Sequence, residues 1–273
     1  MFEKVNPSHP DKVADRIAGA VVDLCYTKSK NPKVACEVLI GHGECNVQIE
    51  TSECIGEQEI GAIVTRIAGQ DIVTRALIVP QDAHLAHNQD GRVRCGDNGI
   101  FKGVPITHEQ RLLTEIAERI YKAYMFDGKY IINGNDLTVC QSHLLREDAS
   151  ELRKLLKRTY DINTPVINPL GEWTGGPDVD SGATNRKLGS DMGNAVTGGG
   201  LFGKDLSKAD VSVNIWCYLE AQRTRQVIEA SCSIGDDVVN GVAYSDIVKI
   251  AHDYIFGVCG GFENFSEWGL IRP

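Results

Sequence analysis

The sequence lacks several features that would assign it to a familiar class. It has no run of about 18 apolar residues, and therefore no candidate membrane span. Its first residues contain no apolar segment of the secretory type, so we expect a cytoplasmic protein. Nine cysteines are present, but none forms the C-x-x-C pair of zinc ribbons and redox motifs. Such thiols fit a reducing compartment, and several lie in apolar patterns typical of a core.

Positive charge is also scarce. The chain has 28 Lys and Arg against 37 Asp and Glu, which gives a net charge of -9. This acidic balance argues against nucleic acid as a main partner. With 273 residues, 42% of them apolar, the chain is long enough for a substantial core and for more than one domain. Any local concentration of cations in such a protein therefore needs its own explanation.

One such concentration lies between Gly175 and Asp210, a segment with nine glycines. Glycine lets the main chain approach a ligand closely, and Lys and Arg beside it suit a polyphosphate. A solvated glycine-rich loop is the alternative interpretation. The charged candidates in this segment are Asp180, Arg186, Lys187, Lys204, Lys208 and Asp210.

A second alternative lies inside the same segment, since Gly198 to Lys204 reads G-x-x-x-x-G-K, as in a P-loop. The next residue is Asp205, where a P-loop has a Ser or Thr that holds magnesium. The preceding residues, GSDMGNAVT, do not form a buried apolar strand. The pattern thus argues against a P-loop phosphotransferase, which stays open as an alternative.

The residues from Ser8 to Lys12 open a predicted helix, with Pro10 at its first position and Ser8 or His9 as its cap. His9 and Asp11 would then stand at a helix N-terminus, where free N–H groups favour anions. The alternatives are a capping histidine and an acid that merely complements the helix dipole.

Residues 33–40 and 45–51 alternate in polarity and predict a hairpin. If the last residue of the first strand faces the first residue of the second, Glu37 and Glu50 share one sheet face, a diagonal step apart. Two carboxylates there could bind cations or an amino group. The alternative is a solvated face of an antiparallel hairpin.

The remaining pattern predicts helices and short strands in alternation. Thr107 and Gln110 form a capping box, and Ser245 is expected to cap a late helix. Residues 80–95 show no periodicity, and we expect them to form a lid over the active site. The order of elements predicts an α+β fold, with helices on antiparallel sheets in three similar units. Helices are predicted at 56–68, 107–124, 147–160, 208–225 and 245–256, and strands at 129–132, 137–141, 165–168 and 226–234.

Seven motifs in order, from Glu3 to about Arg225, resemble those of the S-adenosylmethionine synthases, or methionine adenosyltransferases. They are HPDKVAD, VACEV, GDNG, NP-LG, GGP…D…G-x-T-x-RK, GGGLFGKD and SKAD. The resemblance implies one compact chain, residues 1–273, of three interleaved α+β subdomains built from discontinuous segments about a pseudo-threefold axis. It also implies a homodimer, possibly a tetramer, with active sites between subunits.

The reaction that the resemblance implies is attack of the methionine sulfur on the ribose C5′ of ATP. Tripolyphosphate leaves and is hydrolysed to pyrophosphate and phosphate. A neutral thioether needs no general base, so the difficulty is the charge on the leaving group, which cations can stabilise. The implied cofactors are Mg²⁺, two per site, and K⁺. Because the chain is shorter than typical members, a non-catalytic nucleotide-binding relative or a regulatory subunit is the alternative.

Family likeness also implies a role for individual residues. His9 would lie beside the phosphate chain and the breaking bond, and Trp173 would stack on adenine. The catalytic residues implied are His9, Lys129, Arg186 and Lys204. Those for ATP are His9, Asp127, Lys129, Trp173, Asp180, Arg186, Lys187 and Lys204. Those for methionine are Glu50, Asp97, Asp180 and Lys208, and the metal ligands are Asp11 and Asp210 for Mg²⁺ and Glu37 for K⁺.

Overall fold

The computed structural model describes residues 1–84, 91–93 and 99–273. The predicted α+β class is confirmed: helices cover mixed, largely antiparallel sheets in three units, each with its own apolar core. The helices are α1 Pro10–Lys28, α2 Glu57–Ala68, α3 His108–Ala123, α4 Arg146–Thr159, α5 Leu188–Met192, α6 Ala209–Thr224, α7 Tyr244–His252 and α8 Phe262–Trp268, with a π-helix at Asp253–Cys259. The strands are β1 Phe2–Val5, β2 Val34–Gly41, β3 Glu44–Thr51, β4 Val73–Pro80, β5 Gly99–Gly103, β6 Gly128–Asn133, β7 Asp136–Gln141, β8 Val166–Ile167, β9 Gly182–Ala183, β10 Ile228–Cys232, β11 Val238–Val239 and β12 Val242–Ala243.

The first unit is the sheet β4-β3-β2-β9 with α1 and α2 on one face. The predicted hairpin is confirmed in its register, since Glu37 pairs with Gln48 and Glu50 with Ala35. The sequence did not predict β4, which runs parallel to β3. Alternate residues of β2, β3 and β4 point away from the helices, and they form the outer face of this sheet.

That outer face carries exposed apolar side chains. Leu39 of β2 is 53% exposed, and Val73 and Leu77 of β4 are 55% and 56% exposed. An open groove of about 770 Å³ runs beside them, lined among others by Glu37, Gln48 and Leu77. On this face the exposed apolar side chains of β2 and β4 flank polar residues of β3, and such mixed surfaces are common at interaction sites.

The second unit is the sheet β1-β6-β7-β8, covered by α3 and α4. The predicted hairpin of β6 and β7 is confirmed, and so is the capping box, in which the Thr107 side chain accepts from the Gln110 N–H. β1 was not predicted, and β8 pairs with β7 in parallel. The expectation of antiparallel sheets therefore needs correcting at two strand pairs.

The third unit holds the ribbons β10-β5 and β11-β12 with α6 and α7. Phe101 and Tyr244 are buried in its core. The prediction that Ser245 caps the late helix is wrong, because α7 begins at Tyr244 with Ala243 in the capping position. Ser245 lies in the first turn instead.

The last helix, α8, ties the end of the chain to its beginning. It crosses α1 at Gly19, where a Cβ atom would lie 2.6 Å from the Phe262 carbonyl oxygen. The ammonium group of the buried Lys4 donates to the carbonyl oxygens of Ser190, Trp268 and Ile271, at 3.1, 2.7 and 2.8 Å. Among residues 1–84, 91–93 and 99–273, no helix combines the length and apolar character needed to span a membrane.

Candidate functional site

His9 caps α1 as the sequence predicts. Its backbone is extended, Pro10 occupies the first turn, and its Nδ1 accepts a hydrogen bond of 3.2 Å from the Asp11 N–H. Burial, together with the nearby charge of Lys187, lowers the pKa of His9 to about 4. The imidazole is therefore neutral at pH 7, and because Nδ1 accepts, its proton is on Nε2.

Asp11 is the buried centre of a group of charges. Its Oδ2 accepts from Lys187 Nζ at 2.6 Å, and its Oδ1 accepts from the Ala183 N–H at 2.9 Å. Arg186 Nη1 lies 3.5 Å from Oδ1. Burial raises the pKa of Asp11, but the hydrogen bonds from Lys187 and Ala183 outweigh it and bring the pKa below 3.8. The carboxylate is thus ionised and holds two cations against the start of α1.

The second unit contributes further predicted residues to the same place. Asp127 accepts from the Gly176 N–H at 3.1 Å, and burial raises its pKa to about 6. A Cβ atom on Gly175 would lie 2.6 Å from Asp127 Oδ2 and 2.7 Å from Trp173 Cζ3, so these two side chains flank that glycine. Lys129 and Asp180 lie close enough to shift the pKa of His9. We refer to the following residues as the first cluster: His9, Asp11, Asp127, Lys129, Trp173, Asp180, Arg186 and Lys187.

Glu37, Glu50 and Lys204 lie on the outer face of the first sheet, and Lys208 stands at the start of α6. Lys204 Nζ donates to Oδ2 of the buried Asp210, in the first turn of α6. Ala35 pairs with Lys204 on one side and with Glu50 on the other, so all three side chains share one face. Glu37 is two residues along the same strand and accepts from the Thr184 hydroxyl. We refer to the following residues as the second cluster: Glu37, Glu50, Lys204, Lys208 and Asp210.

The two clusters are separate within one chain. Across the part of the chain that the structure describes, no hydrogen bond or ion pair joins a member of one to a member of the other. They approach each other at β9, where the Ala183 N–H bonds to Asp11 and the next residue, Thr184, bonds to Glu37. The sequence suggested a single site within residues 175–210, whereas the structure pairs Arg186 and Lys187 with Asp11 and Lys204 with Asp210.

The carboxylates of Asp11 and Asp210 suit a hard cation. Magnesium binds oxygen ligands, commonly one or two carboxylates together with substrate phosphates. In each pair a lysine ammonium group contacts the carboxylate, which shows that the position accepts a positive charge. Among the described residues, no group of three or more His, Cys, Asp and Glu has metal-binding geometry. The donor set fits a metal that takes its remaining ligands from phosphate and water.

The P-loop hypothesis is wrong. Asp205 is fully buried, and its Oδ2 accepts a hydrogen bond of 2.8 Å from the Val34 N–H. Its Oδ1 accepts from the Ser207 N–H at 2.9 Å, so the carboxylate holds a turn. Helix α6 begins only at Ala209, whereas a P-loop leads directly from a strand into its helix.

Sequence reasoning missed a buried ionic group on the other side of α1. Lys12 is fully buried, and its Nζ donates to Asp15 Oδ2 at 3.1 Å and to Asp191 Oδ1 at 3.0 Å. Asp15 Oδ1 accepts from the Asn185 N–H at 2.8 Å, next to Arg186. Lys12 and Asp15 are three residues apart on one helix face, and this spacing could have indicated their ion pair. Asp191 is too distant in sequence for its part in the group to be predicted.

Two predictions cannot be compared with this geometry. Asp97 lies outside the described residues, and so does half of the predicted lid at residues 80–95. Of that segment, the structure describes the end of β4 at Pro80, residues 81–84 and residues 91–93. The lid stays a prediction.

Known proteins resemble this chain in sequence and in fold. The family model "S-adenosylmethionine synthetase, N-terminal domain" matches residues 1–72. An S-adenosylmethionine synthase from Helicobacter hepaticus is 29% identical, with an alignment that covers 94% of this chain and 77% of the relative. One from Helicobacter pylori is also 29% identical, over 77% of this chain and 69% of the relative. An unusual S-adenosylmethionine synthetase from Campylobacter jejuni matches in fold, with a TM-score of 0.79 over 99% of this chain and 94% of the other, at 19% identity.

Proposed function

We propose that the chain makes S-adenosylmethionine from ATP and L-methionine, because it resembles S-adenosylmethionine synthetases in sequence and in fold. The methionine sulfur attacks the ribose C5′, the C5′–O bond breaks, and its electron pair stays on the departing tripolyphosphate. That product is then hydrolysed to pyrophosphate and phosphate. The observation that supports this proposal most is the first cluster, in which a neutral His9, Arg186 and Lys187 surround one buried carboxylate.

His9 acts as a hydrogen-bond donor in this proposal. Its Nδ1 is occupied by the Asp11 N–H, so Nε2–H is the atom that can reach a phosphate oxygen. A donor aimed at the departing oxygen stabilises charge that develops only in the transition state. Arg186, Lys187 and Lys129 supply the positive charge around the phosphates, and Trp173 offers its ring to adenine.

Asp11 and Asp210 would hold Mg²⁺, which neutralises the charge of the departing tripolyphosphate when bound. Lys187 and Lys204, which contact these carboxylates here, would then be released to contact phosphate oxygens. Glu37, beside the Thr184 hydroxyl, is the proposed K⁺ ligand. The proposed ligands of methionine are Glu50, Asp97, Asp180 and Lys208.

The separation of the clusters supports a homodimer. We propose that each active site combines the first cluster of one subunit with the second cluster of its partner. The outer sheet face, with Leu39, Val73 and Leu77 about half exposed, is the surface on which a second copy would pack. A symmetric pair makes two equivalent sites in this way. Tetramer formation and a cytoplasmic location stay predictions.

A direct assay tests the activity. Purified protein is incubated with ATP, L-methionine, Mg²⁺ and K⁺, and S-adenosylmethionine and phosphates are followed by chromatography. We expect methionine-dependent product. A folded protein that makes none, at any K⁺ concentration, would contradict the proposal. The alternative of a nucleotide-binding relative or regulatory subunit draws on the incomplete coverage of the relatives, 77% and 69%, and predicts ATP binding by calorimetry without turnover.

Mixing two inactive variants tests the composite site. His9→Ala removes the first cluster's donor, and Lys204→Met removes the second cluster's lysine. In a dimer of one of each, one site holds both substitutions and the other holds neither. After subunit exchange at equal concentrations we expect about one quarter of the wild-type activity. A mixture as inactive as its components would show that both clusters serve the same site within one subunit.

A further inference from the structure

A buried asparagine near the N-terminus holds the turn that leads to His9. Asn6 is 0% exposed. Its side-chain Oδ1 accepts from the Ser8 N–H at 3.1 Å, and its carbonyl oxygen accepts from the His9 N–H at 3.1 Å. The backbone that presents His9 to the first cluster is therefore fixed by Asn6.

The same asparagine holds the segment that carries Asp127 and Lys129. Asn6 Nδ2 donates to the Phe126 carbonyl oxygen at 2.8 Å, and the Asn6 N–H donates to the Gly128 carbonyl oxygen at 3.1 Å. Asn6 thus joins the two chain segments from which the first cluster takes its histidine and one of its lysines.

Two further buried side chains complete this contact. Asn6 Nδ2 also donates to the Tyr130 hydroxyl at 3.0 Å, and that hydroxyl donates to Gln141 Oε1 at 2.7 Å. Gln141 Nε2 donates to the carbonyl oxygens of Phe126 at 3.0 Å and Asp127 at 3.2 Å. Tyr130 and Gln141 are both 0% exposed. Every polar atom of the three side chains has a partner, and such networks make a structure rigid.

The network also explains why residue 128 is a glycine. A Cβ atom on Gly128 would lie 2.4 Å from the Tyr130 hydroxyl oxygen, 2.5 Å from Gln141 Oε1 and 2.7 Å from Asn6 Nδ2. In this chain the polar groups of the network occupy the space that a methyl group would need.

We propose that Asn6, Tyr130 and Gln141 are positioning residues, which fix the location of His9 relative to Asp127 and Lys129. The expected effect on catalysis rests on the proposed function, whereas the network of hydrogen bonds is independent of it. The three side chains carry no charge, unlike the Lys12, Asp15 and Asp191 group nearby. The positioning effect should therefore be the same at every pH at which the protein is folded.

The first test removes one atom. Tyr130→Phe deletes the hydroxyl, which leaves Gln141 Oε1 without its donor and Asn6 Nδ2 with the Phe126 carbonyl oxygen as its remaining acceptor. We expect kcat to fall by about ten- to hundredfold, because small displacements of reacting groups have large effects. The Kd of ATP should change by less than about threefold, and the fall in kcat should not vary between pH 6 and pH 9.

Tyr160→Phe is the matched control. The Tyr160 hydroxyl also donates a side-chain hydrogen bond, of 3.1 Å to Glu115, but on an exposed surface. Its loss should leave kcat unchanged. Wild-type kcat in Tyr130→Phe, or an equal fall in Tyr160→Phe, would overturn the proposal.

A measurement without turnover separates this inference from the proposed function. Hydrogen–deuterium exchange should be faster in Tyr130→Phe for peptides that contain residues 6–9 and 126–130, and unchanged in α3. If the wild-type protein makes no product, the proposed function fails. The exchange result then still shows whether the network holds the two segments in place. Unchanged exchange in both peptides would overturn the positioning role.

A second variant guards against loss of folding. Gly128→Ala adds a methyl group against the network and removes none of its hydrogen-bonding groups. It should reproduce the fall in kcat and the faster exchange. If both variants fail to fold at 25 °C, the network serves folding instead of positioning, and the proposal is wrong.

Discussion

The ammonium group of Lys187 lies 2.6 Å from Oδ2 of Asp11, whose side chain is 2% exposed. This pair connects the glycine-rich segment to the first turn of α1. Without its partner, a buried carboxylate loses the interactions that compensate for leaving water. The pair therefore stabilises the folded protein as well as supplying the proposed catalytic cation.

Lys187→Met should test the stabilising part of that role. We expect the free energy of unfolding at pH 7 to fall by about 2 kcal/mol, since hydrogen bonds to charged groups contribute 1.5–3 kcal/mol. Urea denaturation measures the change. Adding Asp11→Asn should recover part of the stability and none of the activity. A single variant as stable as the wild type would contradict this account.

His9→Ala should separate catalysis from binding. In the proposed reaction the neutral His9 donates through Nε2, and its loss would remove a contact that strengthens as the phosphate chain departs. We expect kcat to fall by about 10²- to 10³-fold with little change in the Kd of ATP, as measured by calorimetry. His9→Gln, which keeps a side-chain donor, is the matched variant and should lose less. An equal loss of kcat and ATP affinity would mean that His9 only binds the substrate.

Asp127→Asn should change how stability depends on pH. Burial raises the pKa of Asp127 from 3.8 to about 6, so the folded protein keeps this proton when the unfolded chain has lost it. The stability that this carboxyl contributes is present below about pH 4 and is lost as the pH rises to about 6. Two pKa units correspond to about 3 kcal/mol.

Urea denaturation of both proteins at pH 4.5 and pH 7 checks this prediction. The wild type should lose stability relative to Asp127→Asn on going to the higher pH, and the other titrating groups cancel in the comparison. A constant difference between the two proteins would show that the Asp127 carboxyl has the same proton affinity in both states.

Gly19→Ala should loosen the contact between α1 and α8. The new methyl carbon would lie 2.6 Å from the Phe262 carbonyl oxygen, and this backbone atom cannot move without shifting the helix. Overpacking of this kind destabilises by about 1–3 kcal/mol. Gly61→Ala, inside α2 with open space around it, is the matched control and should stabilise by about 0.5–1 kcal/mol. Thermal unfolding of the two variants should therefore shift in opposite directions.

The elements that the sequence predicted well are those with local signals. The hairpin of β2 and β3 has strict alternation and a short turn, so its register, with Glu37 opposite Gln48, could be predicted residue by residue. The capping box of Thr107 and Gln110 likewise marks the start of α3 within four residues. In such cases the physical cause of the structure lies inside the segment itself.

The features that it did not predict depend on distant partners. β4 needs β3 in parallel, and β1 needs β6, which is more than a hundred residues away. Lys12 would be expected at the surface, and its burial depends on Asp191, far along the chain, as well as on the neighbouring Asp15. The division of Arg186 and Lys204 between two clusters could not be predicted either, since the intervening chain is rich in glycine and has no periodicity.

The three carbonyl oxygens around the Lys4 ammonium group have a consequence for synthesis. Two of them belong to Trp268 and Ile271, so the amine of the first strand cannot be fully satisfied until the ribosome has made those residues. The strand that leads into the His9 turn is therefore made long before it can find all its partners. A nascent chain should therefore acquire the proposed nucleotide affinity late, after α8 has left the ribosome.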